Sequence, residues 1–403
     1  MKKTLTVMTL LAASASQAAG LAIDTQSGRA TGMGSTGVAS MKDASSIYYN
    51  AAGILGVNKL DVQLGASLIL VDLGFTPDAT GVKQTQNPFS PPPNAYFVYK
   101  INEQLAAGVG VFTPFGANSK WPGDFVGRQI ARESRVATYD INPTLAYAPL
   151  KWLRLGVGFQ AVYGTVDVRR QVVAPSPPFP AGISGEVALS GNTWGLGYNA
   201  GVQADVVPGQ LTLGVHYRSR VLMFLEGDSD FSGFPDAAAA SFQDQPIRLD
   251  VELPASLGLG VSVTPMEKLT LAADANWVRW SSIQQLLFEF QTTPTFNQPS
   301  IKQWEDRWNF RVGGEYKVTD ALAVRAGFVY DPTPSPEETL APDLPDADRL
   351  KISVGAGYAF SAFRVDAGYQ LVLLQEKRSA FTPLPGTYGG TAHVIGLTLG
   401  YSP

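Results

Sequence analysis

His216 and His393 are the only imidazoles in a chain of 403 residues that contains no cysteine. That fact sets the chemistry on offer. A serine–histidine hydrolase acting on lipids would have to use one of the two, yet neither has a serine context that supports a triad. Thiolate metal sites, disulfides and cysteine nucleophiles are excluded outright. Gly32-Met33-Gly34-Ser35-Thr36-Gly37 has the GxGxxG spacing, but no strand pattern precedes it and no βαβ unit surrounds it, so it does not read as a nucleotide cradle. The acid-rich stretches Glu226 to Asp230 and Asp343 to Asp348 lack the dense ligand spacing of a calcium loop. No catalytic residue, metal or cofactor is therefore expected. A net charge of -4 with 16% charged residues carries no basic patch for nucleic acid. What remains is a protein that works through its surfaces and its interior.

The elements that would position such surfaces begin with a leader. Lys2 and Lys3, an apolar run from Leu5 to Ala13 and small residues up to Ala19 form a secretory signal peptide over 1–19. The chain is thus expected to be exported. No later stretch of about 18 uncharged apolar residues offers a helical membrane span. Strands that alternate remain, because they hide from hydropathy windows. From Lys59 the period is two: Leu60, Val62, Leu64, Ala66, Leu68 and Leu70 share one face, and Asp61, Gln63, Gly65 and Ser67 the other.

That signature recurs over 59–71, 94–101, 104–114, 135–148, 152–170, 186–207, 210–225, 247–264, 268–289, 303–318, 321–331, 349–360, 362–377 and 389–401. Short connections such as Pro208-Gly209 and Thr319-Asp320 alternate with long ones such as 115–134 and 332–348. This is the asymmetry of periplasmic turns and extracellular loops. The prediction is an all-β fold, a transmembrane antiparallel β-barrel of about 14 strands over 59–403. Residues 20–58, crowded with Gly28, Gly32, Gly34 and Gly37, favour neither a long helix nor a strand. A plug inside the wall is the expected form, with a flexible tail as the alternative. Thr113-Pro114-Phe115-Gly116 ends the third strand with a residue that cannot donate to the ladder. It reads either as a kink in the wall or as an ordinary turn.

Several motifs resemble the FadL-type family of outer-membrane long-chain fatty acid and hydrocarbon transporters. Ser27-Gly28-Arg29-Ala30-Thr31-Gly32-Met33-Gly34, followed by Asp43-Ala44-Ser45-Ser46-Ile47-Tyr48-Tyr49-Asn50, is similar to that family's plug. Its Asn-Pro-Ala motif stands here as Asn50-Ala51-Ala52, without the proline. Trp277-Val278-Arg279-Trp280, Trp304-Glu305-Asp306-Arg307-Trp308 and Arg325-Ala326-Gly327-Phe328-Val329-Tyr330-Asp331-Pro332 extend the resemblance over nearly the whole mature chain.

The resemblance implies a fourteen-stranded monomeric barrel in the cell outer membrane. It implies passive uptake of fatty acids or other hydrophobic small molecules, without catalysis. Release would be lateral, near Pro114 and Gly116, after movement of a hatch that includes Asn50, Ala51 and Ala52. Outer-membrane lipid, lipopolysaccharide and the barrel assembly machinery are the other partners it implies. The apolar residues Phe112, Phe115, Trp121, Phe125 and Phe179 in two long loops are expected to capture substrate, or to pack as a lid. Arg169, Arg170 and Lys302 lie where the family places basic residues near its ligand. Only one of the two arginines can face inward, and Arg169 is the expected one, opposed by the alternative that each basic residue sits in a lumen salt bridge. Monoaromatic hydrocarbon uptake, or a structural or adhesive barrel without transport, are the rival functions.

Overall fold

Alternation over so many segments leaves one face of each strand apolar and one polar, and closing them into a cylinder satisfies both. The computed structural model describes residues 20–403, so the expected leader, 1–19, lies outside the described residues. Fourteen antiparallel strands close the wall. In chain order, first to fourteenth, they are Leu60–Pro77; Pro93–Asn102 with outer extensions Gln84–Gln86 and Phe89–Ser90; Leu105–Phe112 resumed as Gly116–Lys120; Glu133–Leu150; Leu153–Val173; Ser184–Val207; Leu211–Arg218 resumed as Val221–Ser232; Gln245–Leu253 resumed as Ser256–Met266; Leu269–Val278; Arg307–Lys317; Leu322–Asp331; Arg349–Phe360; Phe363–Ser379; and Gly386–Tyr401. The first pairs with the fourteenth from Val62↔Tyr401 to Pro77↔Gly386. Among the described residues each strand thus has a neighbour on both sides and the cylinder closes.

Two departures from the sequence pattern shape the lumen. The third strand does not end at residue 114 but resumes at Gly116 and pairs with Glu133–Leu150. The ninth stops at Val278 instead of running to 289, and the tenth starts at Arg307 instead of 303. Between them a 3-10 turn, Trp280–Ser282, drops Trp280 into the interior, where it is 2% exposed. Phe288–Phe290 then returns to pair with Gln245–Leu253. Trp280, Trp304 and Tyr96 are all buried, so they do not belong to the interfacial girdle. Tyr99, Tyr147, Trp152, Phe360, Phe363 and Tyr401 are exposed near the short turns, as an aromatic belt requires.

The segment that precedes the first strand lies against the inward face of the wall. Its regular elements are brief: Gly28–Gly32, capped by Ser27 Oγ accepting from Ala30 N; Ser46–Tyr49; and the 3-10 turn Ala51–Gly56. Anchors reach far round the barrel. Gly28 N donates to Thr398 Oγ1 (2.8 Å), Gly37 N to Asp274 Oδ2 (2.7 Å), and Tyr96 Oη to Gln26 O (3.1 Å). A Cβ on Gly28 would stand 2.4 Å from the Asp366 carbonyl oxygen, so only glycine lets this helix lie flat on the wall.

Candidate functional site

Strand parity decides which residues can meet a solute in the lumen. In the inner half of the barrel the inward set is polar on the first strand, with Asp61, Gln63 and Ser67, and on the thirteenth, with Asp366 and Gln370, whereas Val98, Ala106 and Ala146 on the second to fourth strands pack apolar surface against the N-terminal segment. Nearer the long loops the same faces turn aliphatic. Ile69, Val71 and Leu73, then Val372 and Leu374, are buried there. On the fourth to eighth strands the change encloses space: Val136, Val166, Leu189, Met223, Leu225, Leu249, Val251 and Leu253 surround a cavity of about 520 Å³. Phe288, Phe290 and Phe296, from the segment that leaves the wall after the ninth strand, cover it, and Leu21 closes its floor.

One end of this cavity is polar. Arg170, Ser300 and Asp343 line it. Asp343 accepts from Lys302 Nζ with both oxygens at 2.7 Å and from Ser300 Oγ at 3.0 Å. Burial pushes the Asp343 carboxyl up, but the Lys302 ammonium together with the hydrogen bonds from Lys302, Ser300 and the Leu344 backbone holds the group below the usual carboxylate range. Lys302 is 1% exposed and fully engaged by this acid. It therefore holds a loop, and does not present a bare charge.

The inward arginine is Arg170, which corrects the choice of Arg169. The fifth strand runs unbroken to Val173, so Arg169 keeps the parity of Val157 and Phe159, which are exposed on the outer face. Arg169 stands opposite Glu133 and Ala188 on that face.

The predicted aromatic residues separate into four places. Phe115 packs edge-on against Trp280 with ring centres 6.4 Å apart, beside Leu21 beneath the cavity. Phe112 faces the N-terminal segment instead, between Tyr48 and Tyr96. Trp121 and Phe125 stack at 4.3 Å in a closed cluster with Phe75, Leu340 and Tyr388, and Trp121 Nε1 donates to Pro342 O. They tie loops together. Phe179 joins Phe234 and Phe242 in another loop cluster. Of these aromatic residues, only Phe115 adjoins the cavity floor. Missed from the sequence were Met223, Leu225, Leu249 and Leu253. The signal was there in Ile247-Arg248-Leu249-Asp250-Val251-Glu252-Leu253, whose charges face out and whose aliphatics face in. That phase is the reverse of a lipid-facing strand.

The third-strand break is not an empty gap. Pro114 O accepts from Ile23 N (2.9 Å), Gly116 N donates to Leu21 O (2.8 Å), and Ala22 bridges to Phe115. Three residues of the N-terminal segment thus stand in for the missing ladder, between the cavity floor and the wall. Further along, Asn50 Nδ2 donates to Val38 O, Val202 O and Val215 O, while its Oδ1 accepts from Ala52 N. Ala51 packs its carbonyl carbon 2.3 Å from where a Cβ of Gly156 would stand. Without the proline, this turn is held by the asparagine side chain.

Comparison with known proteins agrees with this architecture. Residues 9–402 match the family described as outer membrane protein transport protein (OMPP1/FadL/TodX). The long-chain fatty acid transport protein of Escherichia coli O157:H7 is 25% identical over 397 residues, covering 89% of each chain. The crystal structure of a Pseudomonas aeruginosa FadL homologue superimposes with a TM-score of 0.87 at 23% identity, over 95% of this chain and all of that one. The toluene transporter TodX of P. putida gives 0.73 at 17% identity, over 93% and 97%.

Proposed function

The chain belongs to the OMPP1/FadL/TodX family of outer membrane transport proteins, and on that premise we propose that it admits long-chain fatty acids through the cavity between its fourth and eighth strands. As a family member it is a passive outer-membrane channel for hydrophobic small molecules and not an enzyme. The observation that carries the fatty-acid reading is the pairing of an aliphatic cavity with a cation at its end. An apolar cavity of about 150 Å³ holds one benzene. The volume here, about 520 Å³, suits a long chain better than a single ring. Each methylene that enters it gains about 0.8 kcal/mol, and Arg170 gives the carboxylate a charge-assisted partner.

Release is lateral in this reading. The inner cavity and a groove on the outer face of the wall share Ala137 and Thr165 as lining residues, beside the third-strand break. Withdrawal of residues 21–23 from Pro114 and Gly116 would open the ladder there. The segment 20–58 then acts as the hatch, with Asn50 as the clamp that keeps most of it in place.

The test is uptake of labelled oleate and of toluene by cells lacking their own transporter, with the surface level of this protein checked. Oleate uptake that falls in Arg170→Ala but not in Arg169→Ala supports the proposal. Toluene uptake alone, indifferent to Arg170, moves the assignment to aromatic hydrocarbons. Entry of neither above an empty membrane ends the transport reading.

A further inference from the structure

The outward face of the wall holds a second concavity, of about 700 Å³, on strands whose register sorts its surroundings into level rows. Ile141, Ala161 and Leu196 stand side by side on the fourth, fifth and sixth strands. Two residues further out come Tyr139, Tyr163 and Trp194, and then Ala137, Thr165 and Asn192. Above these, Arg135, Asp167, Ser190 and Asp228 form a polar row that reaches the seventh strand. Each step is about 7 Å of strand. Ala137, Gly191 and Gly227 line the hollow among rings and long polar chains, and of these Ala137 is the small side chain on the outward face.

The rows can be placed in the membrane. Tyr147, exposed near the inner turns, is eight residues from Tyr139 along the fourth strand, about 27 Å of chain and about 20 Å of membrane at a tilt of roughly 40°. Tyr139, Tyr163 and Trp194 therefore stand at the outer interface, where aromatic side chains belong. The polar row lies at head-group level. Below them, Leu196 is 64% exposed on the lipid-facing wall.

We propose that this groove binds the saccharide head group of an outer-leaflet glycolipid, with the acyl chains running down the wall past Ile141 and Leu196. A sugar ring has a C–H face that packs on aromatic rings, and Tyr163 and Trp194 lie 5.2 Å apart at 46°, forming an angled platform. Its rim of hydroxyls both donates and accepts. Carboxylates and an amide satisfy such groups best; Asn192 stands one row above the rings, and Asp167 and Asp228 two rows above. Acids outnumber Arg135 along the polar row, so hydroxyl recognition fits this surface better than recognition of a bare phosphate. The apolar row beneath requires a lipid, since a free sugar has nothing to place against it.

The groove is the one that borders the lateral release route proposed above, but the glycolipid site does not depend on which substrate is transported, and its test reads lipid retention. The intact barrel is placed in phosphatidylcholine nanodiscs carrying a synthetic acylated disaccharide or the matching sugar-free diacylglycerol, and bound lipid is counted by native mass spectrometry. Preferential retention of the glycolipid is expected, falling about tenfold or more in Trp194→Ala/Asp167→Asn and unchanged in Tyr330→Ala, an aromatic truncation on the eleventh strand. Heat-modified gel mobility verifies that each variant is folded, and Asn192→Ala serves alone if the double variant is not. Equal retention of the sugar-free lipid, or full retention by the folded variants, overturns the assignment. So does equal retention of the deacylated disaccharide, which would make this a soluble-sugar site.

Discussion

Towards the periplasmic turns, the lumen is filled with charges that find one another; towards the loops, it is lined with aliphatic side chains that enclose empty space. In the inner half, Arg325 joins Glu315 and Asp366, each at 2.7 Å, and Arg29 of the N-terminal segment reaches Glu315 and Asp43. Lys351, fully buried, sits between Asp24 and Asp331, and Arg311 also meets Asp24. The outer face follows the opposite rule. It is apolar around the inner half, but Arg248 and Asp250 pair on it beside the outer cavity. Crossing the membrane interface therefore inverts the wall: polar inside and apolar outside below, the reverse above. Paired charges hold a segment in one place, because moving it leaves a partner buried and alone. Aliphatic surface grips weakly and without direction, which suits a site that must fill and empty.

Breaking the inner network should give the largest effect. Arg325→Ala leaves Glu315 and Asp366 without their shared cation, and a loss of about 3–5 kcal/mol in unfolding free energy is expected, measured by denaturant titration in detergent. A cost below 1 kcal/mol would mean that the charges are screened by water and do not fix the segment. Asn50→Ala removes one side chain that serves three carbonyls and caps a 3-10 turn. At about 1 kcal/mol per hydrogen bond, a loss of roughly 2–3 kcal/mol is expected, together with faster proteolysis within residues 20–58.

The outer half should respond differently. Arg170→Ala is expected to weaken oleate binding by about 1.5–3 kcal/mol with toluene binding and stability unchanged, read by calorimetry on the purified barrel. Leu249→Ala should cost about 1–2 kcal/mol in oleate affinity through lost apolar contact and less in stability than a fully packed leucine would. A larger stability loss than affinity loss would show that this region is core, not cavity.

The smallest effect concerns pH. Asp343 lies in the loop that follows the eleventh strand, and its carboxyl is held below the ordinary value near 3.9. A depressed folded pKa stabilises above the unfolded value and loses that contribution as pH falls through the folded one. Hydrogen exchange in residues 332–348 should accelerate below about pH 4 in the parent chain. In Lys302→Met this acid-dependent step should shrink, because the cation that lowers Asp343 is gone.

The fourteen strands and their alternating short and long connections were fixed by sequence alone, because lipid on one side imposes a two-residue period that can be counted along the chain. So was the unusual character of residues 20–58, whose glycines favour neither a long helix nor a strand. Membership of the outer-membrane transport family was legible in the motifs over 27–34, 43–50, 304–308 and 325–332. Parity also held the answer for Arg169 and Arg170, since Val157 and Phe159 mark the outward phase of an unbroken strand; the reversal of polarity at its outer end obscured it.

Only the tertiary structure decided the rest. Nothing local to Leu21, Ala22 and Ile23 reveals that they complete a ladder at Phe115, nearly a hundred residues away. Nothing in Trp280 tells that its strand has ended and its ring turned inward. Nothing around Lys302 names its partner; Asp343, from a different loop, comes within 2.7 Å of it only in the closed fold. Period is a property of a strand and its solvent, so it is written along the chain. Cavities and ion pairs are properties of closure, and they exist only when the first strand meets the fourteenth.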